Sequence, residues 1–200
     1  MFSPASERNK GPIRDQLRTL LPTSGTLVEI ACGSLQHACF IAPAHPKLSW
    51  LSTDINPEAV AHGTELAATK RLPSNVSVPV QLDIAADTWP LGTPVDVIYT
   101  ANLLHISPWA ATEGLFRHAA CHLSGDGQLL IYGPFSRSGQ HNSDGNAAFD
   151  ADLRHRNAAW GIRDLDDIEV LAKINGLGLR GQIEMPANNF LLQFTRTNVI

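Results

Sequence analysis

Ile13, Leu17, Leu20 and Leu21 fall at i, i+4, i+7 and i+8, which predicts an amphipathic helix after Gly11-Pro12, stopped by Pro22. A short apolar run from Thr26 to Ala31 then leads through a turn containing Gly33 into a helical stretch near Gln36. The unit repeats. Leu48 to Ile55 reads as a strand, and Pro57 sits where a first helical turn tolerates proline. Val76 to Ile84 reads as a third strand, placed at an edge or a bulge by Pro79. Pro94 to Ala101 is apolar enough to be covered on both faces, as in the middle of a parallel sheet. Ser107 and Pro108 suit the N-cap and first position of the next helix, and Gly127 to Phe135 forms a fifth strand.

Residues 136–160 are rich in Ser, Gly, Asn and His and predict a long, lid-like loop with one short helix near 149–154. Asp164 is the expected N-cap of the last helix and Gly176 its end. Two strands remain, Leu179 to Met185 and Asn189 to Arg196, too close for a crossover helix and therefore antiparallel. The fold class is α/β: one domain over residues 1–200, a doubly wound sheet with helices on both faces and an antiparallel C-terminal pair.

Composition narrows the partners. A hydrophobic fraction of 44% with 17% charged residues belongs to a chain that buries a sizeable core. The net charge of −4, with Lys and Arg scattered, offers no basic stripe for a phosphate backbone, so no nucleic-acid partner is expected. Charges in MFSPASERNK precede any apolar run, and nowhere do 18 apolar residues occur together; a cytoplasmic protein with no membrane partner is expected. Three cysteines without a C-x-x-C pair fit a reducing compartment. Neither Cys32, His37 and Cys39 nor His118 and His122 completes a four-ligand pattern, so no metal is expected.

In open α/β sheets a ligand sits beyond the carboxyl ends of the strands. Here those ends carry Gly33, Asp54, Asp83 and the segment Asn102 to His105. Gly33 permits a tight turn and close backbone approach. Asp54 follows at the distance from which a carboxylate reaches ribose hydroxyls, and Asp83 could accept from an adenine amino group; helix capping and a solvated turn are the other roles open to them. A nicotinamide dinucleotide needs a G-x-G-x-x-G approach to its pyrophosphate, and the turn ACGSLQ has one glycine. S-adenosylmethionine has no phosphate to cradle.

Several stretches resemble one family, the methyltransferase-like 26 proteins of the class I S-adenosylmethionine-dependent type: SPASERNKGPI, EIACGSLQHA, STDI, NLLHISPW, YGPF, FDADLR, WGIRD and MPANNF, in order along the chain. The resemblance implies a seven-stranded Rossmann-like sheet, with S-adenosylmethionine held by Glu29, Ala31, Gly33, Asp54, Asp83 and Asn102. Arg8 and Asn9, in a segment that could fold over the cofactor, are candidates for its amino-acid end, or the segment is a packed arm. The departure is Leu35, where family members resemble ASGTGQHA. If glycine supplies a positive φ there, leucine strains the loop by about 1–3 kcal/mol; if it supplies clearance, the side chain intrudes on the cofactor and Leu35→Gly should tighten binding.

Methyl transfer is an in-line displacement that needs a positioned acceptor and often a base. His105 and Tyr132 are the catalytic candidates; His105 could equally hold the turn that follows it. Trp109, Phe135, Phe149 and Trp160 could line a small-molecule acceptor pocket under the 136–160 segment, or lie in the core. Arg154 and Arg163 are expected to pair with Asp150 and Asp164. The expected function is methylation of an oxygen or nitrogen nucleophile on a small molecule, with a homodimer as an open oligomeric state. A non-methylating catalyst on the same fold and a silent binding subunit remain as alternatives.

Overall fold

The computed structural model describes residues 1–92 and 94–197. Helix α1 (Pro4–Leu20) starts well before the predicted point because Ser3 caps it, its Oγ accepting from Ser6 N–H at 3.2 Å, with Pro4 at the first position. Pro12 therefore lies inside the helix. The Arg8 carbonyl, which loses its partner to the proline ring, belongs to an exposed residue that water can reach.

The chain continues through β1 (Gly25–Ile30), α2 (Gln36–Ile41), β2 (Leu48–Asp54), α3 (Pro57–Ala68), β3 (Val80–Gln81) and β4 (Val95–Ala101). Next come α4 (Trp109–His122), β5 (Leu123–Gly133), β6 (Phe135–Arg137), β7 (Gln140–His141), α5 (Asp144–Arg156) and β8 (Arg163–Asp164). It closes with α6 (Leu165–Ile174), β9 (Leu177–Met185) and β10 (Asn189–Arg196). The large sheet has seven strands in the order β3-β2-β1-β4-β5-β10-β9, with β9 and β10 antiparallel as expected. The third strand is shorter than predicted, two residues at the edge preceded by a single bridge from Val76 to Trp50. Pro79, with no N–H to donate, suits that position.

Successive residues of a strand face opposite sides, so each central strand feeds two cores. Val97 and Tyr99 of β4 join Ile13, Leu17, Ile41 and Trp50 on the side of α1 and α2. Ile98 joins Val28, Phe116, Ile168 and Phe194 on the side of α4 and α6. Ser107 is not the cap of α4: Pro108 takes that position and the Ser107 hydroxyl donates to Leu104 O at 3.3 Å. The segment predicted as a long loop is instead two short strands and the 13-residue α5, capped by Ser143. These strands and β8 form a second sheet in the order β7-β6-β8, extending from the end of β5. The weak apolar periodicity of α5 explains the misreading, since polar side chains hold it more than core packing does.

Candidate functional site

The turn after β1 carries three left-handed residues, Ala31 at φ 58°, Gly33 at φ 52° and Leu35 at φ 59°. Cys32 N–H donates to Thr53 O and Leu35 N–H to Cys32 O, both at 2.9 Å, so backbone bonds define the bend. Leu35 is fully buried in the α1/α2 core, and a methyl built on Gly63 of α3 would come within 3.1 Å of its Cδ1. The side chain thus turns inward, beneath the loop. Around Gly33 the space a Cβ would occupy is open, with no heavy atom within 4 Å. Of the two consequences expected from Leu35, the strained φ is present and intrusion into the space beside Gly33 is not.

Asp54, buried at the end of β2, accepts from Gly33 N–H and from Asn56 N–H, each at 2.8 Å. Helix α3 is capped by Asn56, not by Asp54. Asp83 is exposed and accepts from Ala85 N–H at 2.9 Å, the turn role weighed against adenine binding. Asn102, left-handed at φ 58°, ends β4 and donates its N–H to Tyr132 O at 2.8 Å.

Glu29 points under the sheet end. It is buried and accepts from Trp50 Nε1–H at 2.8 Å, and loss of water pushes its carboxyl up to about 8. Tyr99, in the same core, has a hydroxyl with no partner among the described residues. Neither Glu29 nor Tyr99 reaches the surface of the turn.

The start of α1 is fastened to that turn through Gln36, which no motif singled out. Its Oε1 accepts from Ser3 N–H at 2.6 Å and from the Ser34 hydroxyl at 2.7 Å, while its Nε2–H donates to Glu7 at 2.9 Å. Arg8 is exposed, whereas Asn9 is buried and faces His37 Nε2 at 2.7 Å. Burial lowers His37 to about 4. Asn9 also meets the Tyr132 hydroxyl, whose phenol burial pushes up. Tyr132 therefore lies within the α1/α2 core. His105 faces the next residue of β5, with its Nδ1 3.6 Å from the point where Gly133 would carry a Cβ. The two predicted catalytic side chains belong to opposite faces of β5 and do not converge.

His105 is buried, meets the Phe149 ring edge-on at 5.5 Å, and is lowered to about 4 by burial and then by the charge of Arg163. It is an uncharged imidazole at neutral pH. Phe135 is core, and Trp160 faces Arg156 with the guanidinium 5.2 Å from the ring. Trp109 lines a cavity of about 320 Å³, whose walls include His141, Asp150, Arg154, Arg163 and Asp164. The pocket in this corner is polar where an aromatic one was expected.

Arg154 donates from Nε–H to Asp150 at 2.8 Å, as predicted. Arg163 does not pair with Asp164. It donates to the carbonyls of Leu104, Ser107 and Ala159, and Gly161 N–H donates to His105 O at 3.0 Å. Residues 161–163 thereby clamp the segment carrying His105. No helix among the described residues is long and apolar enough to cross a membrane.

The seven-stranded sheet with its antiparallel C-terminal pair is the fold of the solved methyltransferases that this chain matches. Residues 1–196 match the family described as a protein of unknown function (DUF938), and the chain belongs to it. Among solved structures it is similar to mitomycin 7-O-methyltransferase, with 15% identity and a TM-score of 0.79 over 96% of this chain and 54% of that one. It is also similar to an O-methyltransferase family protein from Burkholderia thailandensis, at 18% identity and a TM-score of 0.78, covering 98% of this chain and 58% of that one. A methyltransferase of calicheamicin biosynthesis, solved with SAH bound, matches at 15% identity and a TM-score of 0.76, over 96% of this chain and 54% of that one. The chain thus spans little more than half the length of these structures.

Proposed function

We propose that the protein is an S-adenosylmethionine-dependent methyltransferase acting on an oxygen or nitrogen nucleophile of a small molecule. The observation that carries this reading is the burial of Leu35 in the α1/α2 core, which leaves the space beside Gly33 open. The fold shared with solved methyltransferases and the stretches resembling methyltransferase-like 26 proteins add to it. When bound, the cofactor supplies a methyl group already activated by its sulfonium.

The chain's own part is to bind and orient. Each Asp54 oxygen is aimed by one backbone N–H and keeps a lone pair for a ribose hydroxyl. Glu29 fixes Trp50 beneath the site and supports from within, a reading that replaces direct cofactor contact. His105, neutral and clamped just past the end of β4, is the residue we assign to take a proton from an acceptor. Its low basicity makes it a weak base that best serves an acceptor acidified in the transition state. A non-methylating reaction drew its support from Leu35; its left-handed φ is present, its side chain is buried away from the space beside Gly33, and the similarity to solved methyltransferases does not favour that alternative.

Calorimetric titration of the purified chain with S-adenosylmethionine and S-adenosylhomocysteine is the test. Micromolar binding of both is expected. Flat isotherms for both would overturn the proposal.

A further inference from the structure

The polar cavity beside β6 and β8 is walled by groups whose hydrogen bonds do not balance. Asp150 spends one oxygen on Ile162 N–H at 2.6 Å and the other on Arg154 at 2.8 Å. Asp164 takes the Ser136 hydroxyl and Gly139 N–H on one oxygen and Asp166 N–H on the other. The acids of the wall are thus largely occupied by the protein's own donors. Arg163 is the reverse case. Its Nε–H and Nη2–H groups go to three carbonyls, while Nη1 has no partner among the described residues and no carboxylate lies within ion-pair distance. Its charge is half-buried; desolvation and then the nearby Arg154 lower its pKa, and of the wall's three carboxylates, Asp150, Asp164 and Asp167, Asp150 acts against them. His141 has its Nε2 3.6 Å from Asp150 and adds a buried Nδ1 without a partner among the described residues.

The backbone is shaped for this. Gly161 stands at φ 148°, and a Cβ there would lie 2.8 Å from Arg154 Cζ and 2.9 Å from Asp150 Oδ1, so only glycine lets the pair press against the chain. Trp109 lies beside Arg163, its ring centroid 5.7 Å from the guanidinium carbon, and gives the cavity one apolar flank.

We propose that this cavity binds the carboxylate of a small monoanionic ligand, seated on Arg163 and Arg154 with its body against Trp109. That this ligand is the methyl acceptor rests on the function proposed above. Asp167, also in the wall and exposed, disfavours a second negative charge and so favours a carboxylate over a phosphate dianion.

The test is titration of the full chain, 15N-labelled, with acetate, benzoate and inorganic phosphate while the arginine Nε–H resonances are followed. Saturable shifts at Arg154 and Arg163 with both carboxylates are expected, with benzoate at least threefold tighter. Arg154→Gln, at an exposed side chain, should weaken benzoate at least fivefold in a chain that still folds, with a melting temperature lowered only by the lost pair with Asp150. It decides the matter if Arg163→Gln fails to fold. Saturation by phosphate alone, or by none of the three, overturns the proposal. Repeating the titration with S-adenosylhomocysteine separates the two readings: cofactor binding without carboxylate binding sinks this inference alone, and carboxylate binding without cofactor binding sinks the methyltransferase reading alone.

Discussion

The turn after β1 and the corner made by β6, α5 and β8 both lie at strand ends of the large sheet, yet different forces hold them. In the first, an inward leucine and bonds between backbone groups set the shape, with polar side chains added around the rim. In the second, hydrogen-bonded polar side chains form much of the framework, alongside the buried Phe135, Leu153 and Ile162. A loop built on packing fixes backbone geometry and tolerates an unexpected letter. A corner built on hydrogen bonds fixes side-chain chemistry and is sensitive to single atoms.

The largest effect that would sharpen this contrast is at Leu35. Leu35→Ala should lose about 3 kcal/mol in urea unfolding, through the cavity it leaves, with the left-handed strain still present. Leu35→Gly loses the same contacts but recovers the strain, so it should be about 1 kcal/mol more stable than the alanine variant. Because the side chain lies beneath the loop, neither variant should tighten S-adenosylmethionine, which reverses the outcome expected from the sequence. Tighter binding by Leu35→Gly would return the side chain to the cofactor's space and break the comparison.

Next in size is a pH dependence. Glu29 keeps its proton in the fold up to about pH 8, whereas an unfolded carboxyl loses it near 4.5. Between those values rising pH costs about 1.4 kcal/mol of stability per unit. His37 and His105 act in the opposite sense between about 4 and 6.5, where the unfolded chain binds protons that the fold refuses. For these three groups stability peaks near pH 6.5 and falls toward pH 8. Glu29→Gln should abolish the fall above the peak; melting temperatures measured from pH 5 to pH 9, about the span of these shifts, check it.

The smallest effect belongs to the corner. Asp150→Asn keeps the shape and one acceptor but loses the charge facing Arg154, and should cost about 1 kcal/mol in the same unfolding assay. No measurable loss would mean that the corner, too, is held by packing.

Pro79 made the edge place of β3 legible, and the apolar runs made the central place of β4 legible, because central strands must be buried on both faces. Gly33 and Asp54 were legible for the same reason, since strand ends are where polar residues interrupt such runs. The side chain of Leu35 was not, because a sequence gives its φ requirement but not the room left for it by Gly63. Of helix α5 only the stretch near 149–154 was legible; its first turn was hidden by its polar composition. Gln36 had no sequence signal at all, since its three partners come from segments 2 to 33 residues away. His141 and Gly161 were missed likewise; only the glycine inside WGIRD hinted at a close approach.

Through Gln36, the first turn of α1 and the bend after β1 share one amide. Anything that tugs the amino-terminal segment, such as a bulky affinity tag or a fusion partner, would act as a lever on that bend. Assays on such a molecule would then measure the tether together with the protein.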